Sequence, residues 1–209
     1  TPLYIACENG HVDVAQFLLT KNEIKINRAN NGGATPLYAA CLAGHVDVVQ
    51  VLMAREEIQI NQADDNGESP LFIACQEGHV GVMQLLLARE EIQINQATEN
   101  GATPLYVTCQ QGHVDVLRLL LAQKDIKINQ ANENGATPLF ITSQKGHVDV
   151  LRLLLARKEI QINQVKEGGA TPLWITCQKG HVDVVRLLLA REEIQINQAD
   201  KDGYTPLSV

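Results

Sequence analysis

The chain has 209 residues, of which 45% are hydrophobic and 20% charged, with a formal net charge of −7. That balance is too apolar for a disordered chain, and it lacks the basic footprint that phosphate binding demands, so no nucleic-acid partner is expected. No uninterrupted apolar run nears the ~18 residues of a membrane span, and no signal peptide opens the chain, so no membrane insertion of this segment is expected.

The first element opens on Thr1-Pro2-Leu3. A threonine hydroxyl can cap the orphan N–H groups of a helix, and proline suits the first helical position. Gly10 is a stop signal, because glycine adopts the left-handed conformation of a helix C-cap. The first helix is therefore short, from Pro2 to Asn9. A second helix follows His11 and runs through Phe17-Leu18-Leu19, with Asp13 in its first turn, where the helix dipole favours negative charge. Next comes Ile24-Lys25-Ile26-Asn27, an alternating stretch that predicts a strand, leading to the paired glycines Gly32-Gly33 and a tight turn.

The same order then recurs. Thr-Pro-Leu returns at Thr35, Thr103, Thr137, Thr171 and Thr205, with Ser69-Pro70-Leu71 in the remaining place, and all seven prolines belong to this series. Gly-His pairs begin at Gly10, Gly44, Gly78, Gly112, Gly146 and Gly180 and hold every histidine. Asn66-Gly67, Asn100-Gly101, Asn134-Gly135 and Asp202-Gly203 stand at the turns, and such dipeptides are strong hairpin signals. Asp47, Asp115, Asp149 and Asp183 repeat the role of Asp13, but the third copy has Gly81, so its second helix is expected to be weakest at the start. The chain is one array with copies at 1–34, 35–68, 69–102, 103–136, 137–170 and 171–204 and the start of a seventh at 205–209.

One such copy cannot stand alone. Ordering a residue costs ~1–2 kcal/mol and burying a large aliphatic side chain returns only ~1.5–3 kcal/mol. Two thin helices cannot cover their own apolar residues, so the copies must stack into a solenoid.

The order T-P-L-x-x-A-x-x-G-H-x-D-V-x-x-L-L-L, followed by Asn and a turn, resembles the ankyrin repeat over essentially the whole chain. The resemblance implies an all-α repeat solenoid of helix–turn–helix plus β-hairpin units, with hairpins at right angles to the helices and, with the first helices, on a concave side. It also implies a structural role for the histidine, bonding to backbone around the turn. Two features depart from the family pattern. The family's usual histidine after T-P-L is replaced by Tyr4, Tyr38, Phe72, Tyr106, Phe140 and Trp174, an aromatic ladder. The repeat has 34 residues where about 33 is usual, with pairs such as Asn22-Glu23, Glu56-Glu57 and Lys158-Glu159 in place of a glycine after the second helix.

Cys7, Cys41, Cys75, Cys109 and Cys177 are periodic, with Ser143 filling the gap. Equivalent positions in stacked helices lie roughly 8–10 Å apart, beyond the ~7 Å Cα separation of a disulfide. They are expected to be free core thiols in a reducing compartment, cytoplasmic or nuclear. Each lies four residues before a histidine. One such pair supplies only two of the four ligands of a closed zinc site, and the intervening glycine breaks the helix that would align them. No metal, cofactor or catalytic centre is expected. The aromatic ladder is expected to pack between first helices rather than to stack a ligand, and Asn27, Asn61, Asn95, Asn129, Asn163 and Asn197 to bond to hairpin backbone.

Function is therefore sought in what is not periodic. Copies two and three carry −5 and −3, with Asp64, Asp65, Glu68, Glu77 and Glu99 among their carboxylates. Leu42-Ala43 occupies a place held elsewhere by Glu8-Asn9, Gln76-Glu77, Gln110-Gln111, Gln144-Lys145 and Gln178-Lys179. Tyr204 stands at a turn where other copies have alanine or glutamate. The expected activity is a non-catalytic scaffold for a protein partner with an apolar and basic segment, bound through Leu42, Ala43, Gln76, Glu77, Gln110, Gln111, Gln144, Lys145, Gln178 and Lys179 on the first helices. Asp65, Asn66, Glu68, Glu99, Glu133 and Tyr204 would contribute from the hairpin tips. The alternative is an intramolecular regulatory or spacer module of a larger protein, since the array shows no polar terminal caps and is expected to be a segment of a longer one. Arg118, Arg152 and Arg186 line up on the second helices and are expected to be solubilising.

Overall fold

The computed structural model describes residues 1–209, which form two compact units, Thr1–Glu99 and Asn100–Val209. The first unit holds α1 (Pro2–Glu8), α2 (Val12–Leu18), α3 (Pro36–Ala43), α4 (Val46–Met53), α5 (Pro70–Glu77) and α6 (Val80–Leu87). The second holds α7 (Pro104–Gln111), α8 (Val114–Leu121), α9 (Pro138–Lys145), α10 (Val148–Leu155), α11 (Pro172–Lys179) and α12 (Val182–Leu189). In each unit the first helices of the copies pack on one another in one layer and the second helices in another, so each is a stack of three helix pairs.

The start and stop of the first helices follow the sequence signals. The hydroxyls of Thr35, Ser69, Thr103, Thr137 and Thr171 accept the N–H three residues on at 3.1 Å, with proline next in the chain. Gly44, Gly78, Gly112, Gly146 and Gly180 end the helices with φ between 71° and 83°. Leu37, Leu71, Leu105, Leu139 and Leu173 are buried between the layers, as are Val48, Val82, Val116, Val150 and Val184. In the second unit Thr108, Thr142 and Thr176 stand where the first has alanine. Their hydroxyls are buried and donate to the carbonyls of Pro104, Pro138 and Pro172, so none is left unsatisfied.

The strand expectation needs correcting. No residue is in a β-strand, and the stretch around Ile24-Lys25-Ile26-Asn27 is a turn, closed by Arg28 N–H donating to the Lys25 carbonyl at 3.1 Å. The alternation has another cause: the turn buries Ile26 and leaves Lys25 in solvent. A hairpin-shaped tip does exist, without a ladder. Asp64 N–H donates to Glu68 O at 3.0 Å and Gly67 N–H to Asp64 O at 3.0 Å. Only the glycine is left-handed, with φ 78° at Gly67 and no positive φ at any non-glycine residue. The Asn-Gly pairs thus form three-residue loops with a glycine bulge rather than the two-residue turn in which both residues need positive φ. The residue three before the glycine builds the tip: Asp64 Oδ1 accepts the N–H groups of Asn66 and Glu68, and Asn30, Asn132 and Asp200 do the same.

The second helices end without glycine, on Leu19 in α2 and on alanine in the other five, all in right-handed conformation. Arginines compensate from the next copy. Arg55 donates to the carbonyl of Leu19 at 3.2 Å, Arg89 to that of Met53 at 2.9 Å, and Arg157 to that of Leu121.

Candidate partner-binding surface

Most side chains that might suggest chemistry are engaged in joining copies. The imidazole Nε2 of His45 lies 3.1 Å from Glu8 O, that of His79 3.0 Å from Leu42 O, that of His147 3.0 Å from Gln110 O and that of His181 3.0 Å from Gln144 O. Each ring thus reaches the last turn of the preceding first helix, rather than its own turn. Asn27 donates to Glu57 O at 2.7 Å and accepts from Gln59 N–H at 2.9 Å. Asn61, Asn129 and Asn163 repeat this pair of bonds one copy further on, so the asparagines bind backbone ahead of the next turn.

Cys7, Cys41, Cys75 and Cys109 are buried, and burial pushes the thiols of Cys7 and Cys109 up to about 12 and that of Cys41 up as well. A thiol held protonated is neither nucleophile nor metal ligand at neutral pH. No group of three or more His, Cys, Asp or Glu side chains converges on a point. The concavities are open troughs, one of them lined by Ile24, Asn27, Arg28, Glu57, Gln59 and Gln62.

Tyr38, Phe72, Tyr106 and Phe140 are buried and Trp174 is half-buried, so the ladder packs and offers no stacking platform. The Tyr38 hydroxyl donates to Glu68 Oε2 at 3.0 Å, and Trp174 Nε1–H to Tyr204 O at 3.1 Å. These bonds tie the ladder to the tip ending the same copy. Burial, with the Glu68 carboxylate beside it, pushes the Tyr38 phenol well above the usual tyrosine range.

The surface residues divide accordingly. Leu42, Ala43, Glu77, Gln111, Lys145, Gln178 and Lys179 are exposed at the ends of first helices, while Gln76, Gln110 and Gln144 are half-buried beside them. Asp65, Asn66, Glu99, Glu133 and Tyr204 are exposed at tips. Glu68 is half-buried under Tyr38, and Asp64 holds its own turn, so the outward carboxylates of the acidic copies are Asp65, Glu77 and Glu99. Of the carboxylates in the unit Thr1–Glu99 only Glu91 is in an ion pair, with Arg89 at 2.5 Å. Arg118 and Arg152 are exposed, and Arg186 makes an exposed pair with Asp183 at 3.4 Å.

Sequence reasoning missed the arginine bridges. A cation directly after the alanine that ends the second helix, in Arg55, Arg89, Arg157 and Arg191, was the available signal.

Comparison with known proteins agrees with this architecture. The family model described as ankyrin repeats (3 copies) matches residues 1–64, 56–132, 90–166 and 158–209. The fold is similar to the crystal structure of the human ASB11 ankyrin repeat domain, with TM-score 0.84 and 23% identity, over 100% of this chain and 90% of that one. It is also similar to the ankyrin repeat domain of Bcl-3, a member of the IkappaB protein family, with TM-score 0.86 and 21% identity, over 100% of this chain and 92% of that one. A search of curated proteins gives no match. Ankyrin repeat domains are generally protein–protein interaction modules, and by its sequence pattern and its paired-helix stacks this chain belongs to the ankyrin-repeat family.

Proposed function

We propose that this chain is a non-catalytic scaffold that binds a protein partner through its turn tips and the exposed ends of its first helices, with copies two and three contributing most. One observation carries the reading. The periodic residues are engaged in joining copies, whereas Asp65, Glu77 and Glu99 point outward without cations. Copies two and three have only two cations, Arg55 and Arg89, and both bond internally. A partner presenting lysines and arginines would meet an uncompensated field, which steers association and fixes register. Cysteines that form no disulfide suit a reducing compartment, and we propose the cytoplasm or nucleus for the chain.

The test is affinity capture with cross-linking from the native source, followed by titration of the captured partner against the double variant Asp65→Asn/Glu99→Gln. Rim charges change association and its salt dependence, so affinity at low salt should fall about tenfold. Unchanged affinity and salt dependence would refute the choice of face. Stoichiometric zinc in the purified chain would refute the non-catalytic, metal-free reading.

A further inference from the structure

The ends of the first helices differ in chemistry between the two units. In the first unit they include the carboxylates Glu8 and Glu77. In the second unit α7, α9 and α11 close on Gln110-Gln111, Gln144-Lys145 and Gln178-Lys179, and all six side chains are amide or ammonium. The second unit does not lack carboxylates, for it has eleven Asp and Glu against twelve Lys and Arg. Every one of the eleven lies on a second helix, in the turn after it or at a tip, and none stands at a first-helix end.

The two ammonium groups are not committed elsewhere. Lys145 and Lys179 are exposed, each is the last residue of its helix, and neither is in an ion pair. A cation at a helix C-terminus offsets the partial negative charge of the last carbonyls. Here the next copy already supplies a donor, because the imidazole Nε2 of His181 lies 3.0 Å from Gln144 O in the last turn of α9. The spacing of the lysines is set by the stack. α9 packs on α11, and equivalent positions on packed helices lie roughly 8–10 Å apart. A polyproline II segment rises ~3.1 Å per residue with three residues per turn, so side chains three apart share one edge at about 9 Å. A β-strand repeats its face every second residue, at roughly 7 or 13 Å, and matches neither lysine spacing nor edge.

We infer that the first-helix ends of the second unit dock a partner segment in polyproline II conformation that carries two carboxylates three residues apart. One carboxylate pairs with Lys145 and the other with Lys179. The main chain of such a segment has no internal hydrogen bonds, and the amides of Gln144 and Gln178 beside the lysines offer it partners. This rests on the scaffold reading above and adds an acidic segment of the partner to the basic one that the first unit takes. A face with donors and no carboxylate is complementary to an acidic segment and repels no part of it.

The variant that tests this is Lys145→Gln/Lys179→Gln, which is safe for the fold because Gln111 holds the same place in α7. The probe is a phage-displayed library of random linear peptides selected on the full chain at low salt, where surface charges act most strongly. One recovered class should carry Asp or Glu at positions three apart, with proline enriched between them. As synthetic peptides this class should bind Lys145→Gln/Lys179→Gln about three- to tenfold more weakly than the parent, as expected for the loss of two exposed ion pairs. Lys145→Arg/Lys179→Arg should retain the binding, and Asp65→Asn/Glu99→Gln, which lies in the first unit, should leave it unchanged.

Acidic peptides that bind Lys145→Gln/Lys179→Gln like the parent would overturn the inference. So would recovery of no acidic class, or of one whose carboxylates stand two or four apart, the spacing of a strand. If none of these acidic peptides behaves as expected while the captured partner still loses affinity on Asp65→Asn/Glu99→Gln, only the acidic docking falls and the scaffold reading stands.

Discussion

The imidazole of His79 lies with Nε2 3.0 Å from the carbonyl oxygen of Leu42, and its ring crosses directly over Gly44, the left-handed glycine that ends α3. The same arrangement joins His45 to Gly10 and His147 to Gly112. Glycine is required twice over at this place. Its φ is 73°, and a Cβ there would lie 2.6 Å from His79 Cε1. Gly44→Ala should therefore destabilise by about 2–3 kcal/mol, from roughly 1–2 for the left-handed backbone and about 1 for the displaced hydrogen bond. In a His79→Ala background the steric part vanishes, so the two variants should couple by at least about 0.5 kcal/mol in a denaturant-unfolding cycle. Strict additivity would show that the ring does not enforce the glycine.

Ser143 offers the opposite case, a residue whose replacement should help. Its side chain is fully buried, and its Oγ has no hydrogen-bond partner. The other five copies place cysteine there, and Cys75 Sγ lies 3.4 Å from Met83 Sδ, a soft partner; Ser143 has Leu151 at the corresponding place. An unsatisfied buried hydroxyl costs about 1–3 kcal/mol, whereas a thiol behaves as a small hydrophobe. Ser143→Cys should stabilise by about 1 kcal/mol, read as a rise in the denaturation midpoint with unchanged slope. A lower midpoint would show that the hydroxyl finds a partner after all.

These examples show which parts of the molecule were legible in sequence. The helix starts at Thr35-Pro36 and stops at Gly44 were read correctly because they depend on neighbours in the chain. The asparagine bridges were read in kind, although the backbone that Asn27 binds lies thirty residues on. The strand was misread because period-two burial at Ile24-Lys25-Ile26 is produced equally by a turn lying on a core. Glu68 looked like a free carboxylate because its partner, Tyr38, is thirty residues away. That the His79 ring reaches the Leu42 carbonyl of the preceding copy depends on stacking geometry, which no local pattern encodes.

The arginines separate structural from merely exposed cations. Arg89 donates to Met53 O at 2.9 Å and pairs with Glu91, and is half-buried. Arg152 is exposed on α10. Hydrogen bonds from charged groups contribute about 1.5–3 kcal/mol when well shielded, and partial exposure brings Arg89 towards the lower end. Arg89→Ala should cost about 1–2 kcal/mol, and Arg152→Ala should stay within about 0.5 kcal/mol. Thermal unfolding of both variants checks this. Equal effects would mean that the carbonyl at the end of α4 is satisfied as well by water as by the arginine.

The buried thiols set how the chain responds to alkali. Burial raises Cys109 from 9.0 to about 12, and raises Cys7 to the same value. A group whose folded pKa lies above its unfolded one contributes stability that is complete below the unfolded pKa and is lost as pH rises towards the folded one. Here that window runs from pH 9.0 to about 12. Within it each such thiol should remove up to about 1.4 kcal/mol of stability per pH unit, because only the unfolded chain releases the proton freely. Urea midpoints should therefore be flat between pH 7 and 8.5 on this account and fall steeply above about pH 9. Cys109→Ala should lower stability at neutral pH through a small cavity yet show a shallower alkaline fall than the parent. Parallel falls in parent and variant would assign the alkaline transition to other groups, with the Tyr38 phenol, also raised by burial, the next to test by Tyr38→Phe.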